Sequence, residues 1–157
     1  MENLKYAGFW WRFLAYLIDA IIIGAFQWIV VVPFLALIGI SAASAASNGF
    51  NETEAIGMAG AFIGAAMVTY LLLIVIMWLY FALMESSKFQ GTVGKIALGI
   101  IVTDLEGNRI SFARATGRYF GKILSSMIFM IGYILAGFTQ KKQALHDMLA
   151  GTLVWKK

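Results

Sequence analysis

Two long uncharged runs limit what this chain can fold into. The first extends from Ala20 to Asn51 and the second from Ala55 to Met84. A helix needs about 20 apolar residues to cross a bilayer core. The runs therefore predict two membrane-spanning helices, over about residues 10–38 and 56–84. A mean hydropathy of +0.83, with 61% hydrophobic and 13% charged residues, excludes an ordinary soluble domain.

A third apolar run, residues 123–140, is only marginally long enough to span. Gly132 and Gly137 interrupt it, and positive charge flanks both of its ends. It forms either a third span or a re-entrant hairpin shielded by the other helices. In both cases we expect one mainly helical membrane domain over residues 1–157.

The charges of the chain are distributed unevenly. Glu52 and Glu54 occupy the loop between the first two spans, which contains no base, whereas bases crowd the segment after the second span. Because positive charge favours the cytoplasmic side, we expect the N-terminus and residues 85–122 to be cytoplasmic in a protein of the cell membrane. The basic excess indicates anionic lipid headgroups as partners and not nucleic acid.

The cytoplasmic segment contains a short β-branched stretch, residues 99–103, followed by turn residues 104–108. Together with residues 109–111 this pattern predicts a small β-hairpin. Ser111 is suited to cap a following helix.

In that following helix, Arg114, Arg118 and Lys122 recur every four residues beside an apolar face. This pattern predicts an amphipathic helix at the bilayer surface, although a solvated face leading into a span gives the same pattern. The candidates for lipid-headgroup binding are these three residues and Lys95.

Arg12 and Asp19 lie inside or at the mouth of an apolar run that begins at Phe9 and meets no further charge until Glu52. Ionisable side chains are costly in a membrane and are functional candidates by default. The two are seven residues apart, which separates them by about 10 Å along a helix. A direct ion pair within the helix is therefore not expected.

Four segments together resemble the RDD family of small bacterial and archaeal membrane proteins, named for one Arg and two Asp residues. They are residues 7–19 (AGFWWRFLAYLID), Gly91-Thr-Val-Gly-Lys95 with Leu98-Gly99, residues 104–107 (DLEG), and residues 144–152 (ALHDMLAGT). The resemblance covers essentially the whole chain. One departure is Trp11, where many relatives have a second Arg.

By position, the resemblance assigns the naming residues to Arg12, Asp19 and Asp147, and it implies a multi-pass membrane protein. Cation or proton transport is proposed for some members of the family. Our hypothesis is that Arg12 pairs with Asp147 from the tail, which leaves Asp19 as the deep group that binds a proton or a cation. This pairing requires the tail to lie on the same side as Arg12.

Other chemistries have little support in the sequence. The residues 91–95 lack the Gly-x4-Gly-Lys-Ser/Thr spacing of a phosphate-binding loop. His146 is the single histidine and there are no cysteines, so it is a possible proton relay beside Asp147, although a capping or surface role fits it better. We expect no enzyme activity, cofactor or metal site.

Three functions remain in view. The first is a proton- or cation-coupled transporter that uses Asp19, with Arg12 modulating its charge. Since two or three spans enclose little cavity, this function implies a homo-oligomer. The second is a membrane accessory or scaffold protein that binds lipids or a partner protein. In the third, the charges are an interface staple that docks the tail.

Overall fold

The computed structural model describes residues 5–47, 49, 51–127 and 131–157. In chain order these form β1 (Lys5–Tyr6), α1 (Phe9–Phe26), a π-helical segment (Gln27–Val31), α2 (Val32–Ser47), α3 (Glu52–Ser86), α4 (Val93–Ala97), β2 (Ile100–Asp104), α5 (Phe112–Met127), α6 (Ile131–Phe138), α7 (Leu145–Leu149) and β3 (Thr152–Lys156). The chain forms two compact units, one of Met1–Ala20 with Met77–Lys157 and the other of Ile21–Ile76.

Within the described residues, two stretches of helix are each long and apolar enough to cross a membrane, Phe9–Ser44 and Glu52–Ser86. The two predicted spanning helices are therefore confirmed. Pro33 does not end the first of these helices, because the chain continues as α2 to Ser47. The reason is the π-helical segment before it, in which Val32 donates to the carbonyl of Gln27. In a π-helical turn each N–H bonds to the carbonyl five residues earlier, and the hydrogen-bond pattern thus changes just before Pro33, which has no N–H to donate.

The unit of residues 21–76 is apolar, and its helix α3 begins with a capping box. Asn51 Oδ1 accepts the backbone N–H of Glu54 at 3.0 Å, and Glu54 Oε2 accepts the N–H of Asn51 at 3.2 Å. These reciprocal bonds satisfy donors that the first turn of a helix leaves free. Glu54 therefore has a local structural role.

In the other unit, three antiparallel strands form a sheet with the order β1-β3-β2. Trp155 of β3 lies opposite Tyr6 on one side and Ile101 on the other. Its ring stacks on Tyr6 with centroids 4.3 Å apart, and its indole N–H donates to Thr103 Oγ1 at 2.9 Å. The buried core beneath contains Ile100, Val102, Ile110, Ala115 and Val154.

The predicted β-hairpin is wrong in its second strand. Residues 104–108 do form the expected turn, where Asp104 Oδ1 accepts the N–H groups of Glu106 and Asn108. Residues 109–111 form no strand, and β2 pairs instead with β3. The physical reason is that β3 offers five residues of complementary apolar pattern, whereas three residues after the turn offer too few ladder bonds.

The third apolar run is divided between α5 and α6, whose axes differ by 104°. Residues 128–130 lie outside the described part of the chain. The two helices approach closely, because a Cβ built on Gly132 lies 2.6 Å from Ser125 Cβ. Tyr133 also donates to the carbonyl of Lys122 at 3.0 Å. This geometry is that of a broken span or a re-entrant loop.

Helix α5 is rotated about its axis relative to the predicted surface helix. It buries Arg118 together with Ala115, Gly121 and Ser125, while Phe120 is among the apolar residues that it exposes. Arg118 and Lys122 of the basic stripe therefore face a buried carboxylate, whereas Arg114 stays exposed. Two carboxylates on the buried side, described below, account for this rotation.

The sheet generates a prediction about membrane topology. Because β1 and β3 are hydrogen-bonded neighbours, we expect the two chain ends to lie on one side of the membrane, with Ser47 on the other. Single cysteines at Lys5, Ser47 and Lys157 can be tested in intact cells with a membrane-impermeant thiol reagent, since the chain has no cysteine. Lys5→Cys and Lys157→Cys should behave alike and Ser47→Cys in the opposite way. Opposite labelling of residues 5 and 157 would indicate a third full span.

Candidate functional site: a buried charge network

Asp147 is fully buried at the first turn of α7. Its Oδ2 accepts the backbone N–H of Ala144 at 3.0 Å and forms a salt bridge with Arg12. Its Oδ1 lies 3.1 Å from Nη1 of Arg118. One carboxylate thus caps its own helix and neutralises two guanidinium groups.

All three guanidinium nitrogens of Arg12 have a partner. Nη1 contacts Asp147, Nε donates to the carbonyl of Ala7 at 2.7 Å, and Nη2 donates to the carbonyl of Lys142 at 2.5 Å. Ala7 precedes α1, and Lys142 precedes α7. Arg12 therefore joins the start of the first span to the tail, as the pairing hypothesis required, and its side chain is only 14% exposed.

Glu85, at the end of α3, is a second buried carboxylate that the sequence analysis missed. Its Oε1 lies 2.6 Å from Lys95 Nζ and 3.2 Å from Lys122 Nζ, and its Oε2 lies 3.2 Å from Arg118 Nε. Arg118 consequently bridges Glu85 and Asp147. We call these six residues, namely Arg12, Glu85, Lys95, Arg118, Lys122 and Asp147, the charge network.

The charge network places four bases around two carboxylates. Burial alone would raise the pKa of Asp147, but the charges of Arg118 and Arg12 outweigh this effect and hold that pKa well below its usual range. Burial lowers the pKa of Lys95 to about 7, against the opposing attraction of Glu85. Asp147 is therefore an anion at neutral pH.

Asp19 lies outside this network and is held by uncharged donors. Its Oδ1 accepts the backbone N–H of Gly94 at 2.8 Å and the hydroxyl of Tyr80 at 3.1 Å, and its Oδ2 accepts the hydroxyl of Thr92 at 2.5 Å. Tyr80 in turn accepts the N–H of Val93 at 3.1 Å. Hydrogen bonds to the charged form offset the cost of burying this carboxylate.

Close packing of α4 on α1 explains the glycine in the segment Gly91–Lys95. A Cβ built on Gly94 would lie 2.1 Å from the carbonyl oxygen of Ala15 and 3.0 Å from the Asp19 carboxyl carbon. Only glycine allows this approach. The segment thus docks the chain against Asp19, and its lysine is directed to Glu85.

His146 lies on α7 and is buried against α5. Its Nδ1 lies 3.3 Å from Ser125 Oγ, which donates to the carbonyl of Gly121 at 2.8 Å. Burial lowers the pKa of His146 to about 3, and the nearby bases act in the same direction. The ring is therefore neutral at physiological pH, which argues against a pH sensor and against a surface role.

A match to the RDD family model extends over residues 6–151. The chain belongs to the RDD family. It is 42% identical over 150 residues to "Uncharacterized protein YxaI" of Bacillus subtilis (strain 168), covering 96% of this chain and 97% of the relative. It is 30% identical over 155 residues to "Uncharacterized membrane protein YteJ" of the same organism, covering 95% and 80%. No solved structure gives a significant match.

The three residues that the resemblance assigns as the naming residues fall into two separate groups in this RDD protein. Arg12 and Asp147 belong to the charge network, whereas Asp19 fixes α4. In the described part of the chain, no group of three or more His, Cys, Asp or Glu side chains is arranged to hold a metal ion. The site therefore has the chemistry of a cross-link between segments.

Two of the four lipid-headgroup candidates are corrected by the RDD structure. Arg118 is 1% exposed and Lys95 8% exposed, because both are directed to buried carboxylates. Lys122 is 20% exposed at its side chain and contacts Glu85. Arg114 is half exposed, with a loose contact of 3.8 Å to Asp104, and it alone of the four is free to reach headgroups.

The shared carboxylate generates a prediction about stability. Asp147→Asn removes the charged partner of Arg12 and one of the two carboxylates that Arg118 contacts. It should therefore destabilise the protein more than Arg12→Gln, which leaves Asp147 paired with Arg118. Breaking a buried pair costs about 3–5 kcal/mol. Thermal unfolding of the detergent-solubilised protein measures both, and the double mutant should lose less than the sum of the single losses.

The control is Arg114→Gln, which removes a base from an exposed pair and should change stability by less than about 1 kcal/mol. A charge swap of Arg12 and Asp147 should fail to rescue, because the new arginine would face Arg118. Additive losses in the double mutant, or a full rescue by the swap, would contradict the shared arrangement.

The burial of His146 predicts a pH dependence. Since its pKa is lowered from 6.5 to about 3, the unfolded chain binds a proton in this window that the folded protein does not. Stability should therefore fall as pH decreases from 6.5, by up to about 1.4 kcal/mol per pH unit. In His146→Gln the unfolding midpoint should change much less between pH 6.5 and 4.5; an unchanged slope would assign the effect to another group.

Proposed function

We propose that this RDD protein is a membrane protein of the accessory type, which binds anionic lipid headgroups through a basic face and does not transport ions. The observation that carries the proposal is the distribution of exposed charge in the unit of residues 1–20 and 77–157. Among its described residues one acid is exposed, Glu106, against six bases: Lys5, Lys88, Arg109, Arg114, Lys141 and Lys157.

Membrane electrostatics support a lipid partner for this face. Each lysine or arginine near an anionic leaflet contributes about 1 kcal/mol of attraction, which falls off within a Debye length. The exposed bases belong to segments that border the start of α1 or follow the end of α3. Of these bases, Lys5 and Lys88 are adjacent in sequence to the points where the chain would leave the bilayer.

The tail is part of the same proposal. Lys157 follows β3, and its N–H donates to the carbonyl of Gly99 at 2.8 Å. Pairing of β3 with both other strands supports a re-entrant path for α5 and α6, with both chain ends and residues 85–122 on the cytoplasmic side. On this topology all six exposed bases face one leaflet.

Cation or proton transport has less support from the geometry. Each oxygen of Asp19 accepts a hydrogen bond from a protein donor, and Glu85 and Asp147 are surrounded by bases. An incoming cation would have to displace these donors or approach an excess of positive charge. The homo-oligomer that a transport pathway would need is not required by lipid binding.

Lipid selectivity tests the proposal. In vesicles containing spin-labelled phosphatidylglycerol or phosphatidylcholine, the wild-type protein should restrict the motion of the anionic lipid preferentially at low ionic strength. Arg109→Gln and Arg114→Gln should each reduce the relative association constant by up to about fivefold. The preference should also weaken as salt is added.

Glu106→Gln is the matched control, because it removes the opposite charge from the same turn and should increase the preference. Equal restriction of both lipids by the wild type would contradict the proposal. So would a cation or proton flux in proteoliposomes that Asp19→Asn abolishes, because it would identify the protein as a transporter.

A further inference from the structure

A groove lies where α6 meets the start of α1, and neither the family assignment nor the charge network accounts for it. It has a volume of about 460 Å3. Its walls include Phe9, Trp10, Trp11, Ile134 and Phe138, and Lys142 stands at its edge. We call this the interfacial groove. Its volume lies in the range of small-molecule sites.

The walls of the interfacial groove are apolar and open. Trp10 is 75% exposed and Phe138 is 82% exposed, although both are large aromatic side chains. Aromatic residues at the start of a span are typical of the membrane–water boundary. The groove therefore opens at the level where acyl chains join their headgroups.

The polar end of the interfacial groove is fixed and positive. Lys142 has a φ of +49°, an unfavourable conformation for a side chain other than glycine. Its carbonyl accepts from Arg12 at 2.5 Å, its N–H donates to Thr139 at 3.0 Å, and its Nζ donates to the Gly137 carbonyl at 2.8 Å. These bonds hold the ammonium group at the edge of the groove.

A second cation contacts one of the wall residues. Nζ of Lys156 lies 3.0 Å from the centroid of the Trp11 ring. The lining residues include one base, Lys142, and no acid. Apolar walls with a base at the edge complement a molecule that has an acidic head and an apolar chain.

We infer that the interfacial groove binds one anionic phospholipid, with its phosphate at Lys142 and the upper part of an acyl chain against Phe9 and Ile134. Arg12 then acts as a positioning residue. It contacts the carbonyl of Lys142, which lines the groove, and that of Ala7, which precedes the lining residue Gly8. It thereby sets the distance between these two segments. The inference deepens the proposed lipid binding by assigning one site to it.

Photo-crosslinking tests the inference with the full-length protein in vesicles. The probe is phosphatidylglycerol with a photoreactive group on the upper acyl chain, and peptide mapping locates the labels. We expect saturable labelling of residues 8–11 and 134–138. Lys142→Gln should reduce this labelling about fivefold, whereas the matched variant Lys141→Gln, which removes one exposed lysine of the basic face, should reduce it much less.

A second variant fills the interfacial groove and leaves its charged residues unchanged. A Cβ built on Gly137 makes only an ordinary contact of 3.9 Å with Phe9, so Gly137→Leu should fold and fill the groove. It should abolish labelling at both wall segments while the unfolding midpoint stays within a few degrees of wild type. Labelling that persists in Gly137→Leu would overturn the inference.

The remaining outcomes separate this site from the general proposal. Equal labelling in the Lys141 and Lys142 variants, or equal labelling by phosphatidylcholine or by a photoreactive fatty acid, would overturn the assignment of an anionic phospholipid. Spin-label selectivity without groove labelling would refute the groove alone. Groove labelling that Lys142→Gln reduces, without overall lipid selectivity, would support the groove and refute the basic face.

Discussion

The carboxylate of Asp147 is the contact on which the first compact unit most depends. It joins three parts of the chain that are distant in sequence, because it receives Arg12 from α1, Arg118 from α5 and the backbone of Ala144 at the start of its own helix. Each guanidinium would be costly to bury alone, at several kcal/mol. Removing the carboxylate would therefore affect the first span, the bent helix pair and the tail together.

The charge network is better explained by specificity than by stability. Buried ion pairs lose about as much in desolvation as they gain in attraction, and an apolar replacement of the same shape is often neutral or better. Helices in a bilayer, however, have no hydrophobic force that selects one neighbour over another, because lipid tails are equally apolar. Arg118, which contacts both Glu85 and Asp147, supplies that selection. It leaves α5 one low-energy orientation, with Phe120 and the rest of its apolar side directed outward.

The sequence was informative where the physical signal is local. Apolar length predicted both spans, and the family motif led to the hypothesis that pairs Arg12 with Asp147, a contact that the structure contains. The sequence was uninformative where contacts between segments distant along the chain determine the structure. β3 replaces the expected hairpin partner because five residues at the chain end complement β2, which no local pattern reveals. Glu85 directly follows an apolar run, and the sequence analysis did not identify it as a site residue. A signal was nevertheless present, because the basic stripe of α5 has no acid on its own helix and needs a carboxylate from elsewhere in the chain.

The two aspartates, Asp19 and Asp147, are both buried, and each carboxylate is stabilised in a different way. Asp147 is neutralised by opposite charge, whereas Asp19 is stabilised by hydroxyl and amide donors from Tyr80, Thr92 and Gly94. These neutral donors come from α3, from the residue before α4 and from α4 itself, so Asp19 joins α1 to both of these helices. Asp19 therefore docks α4 against α1 through hydrogen bonds, whereas Asp147 joins its segments through salt bridges.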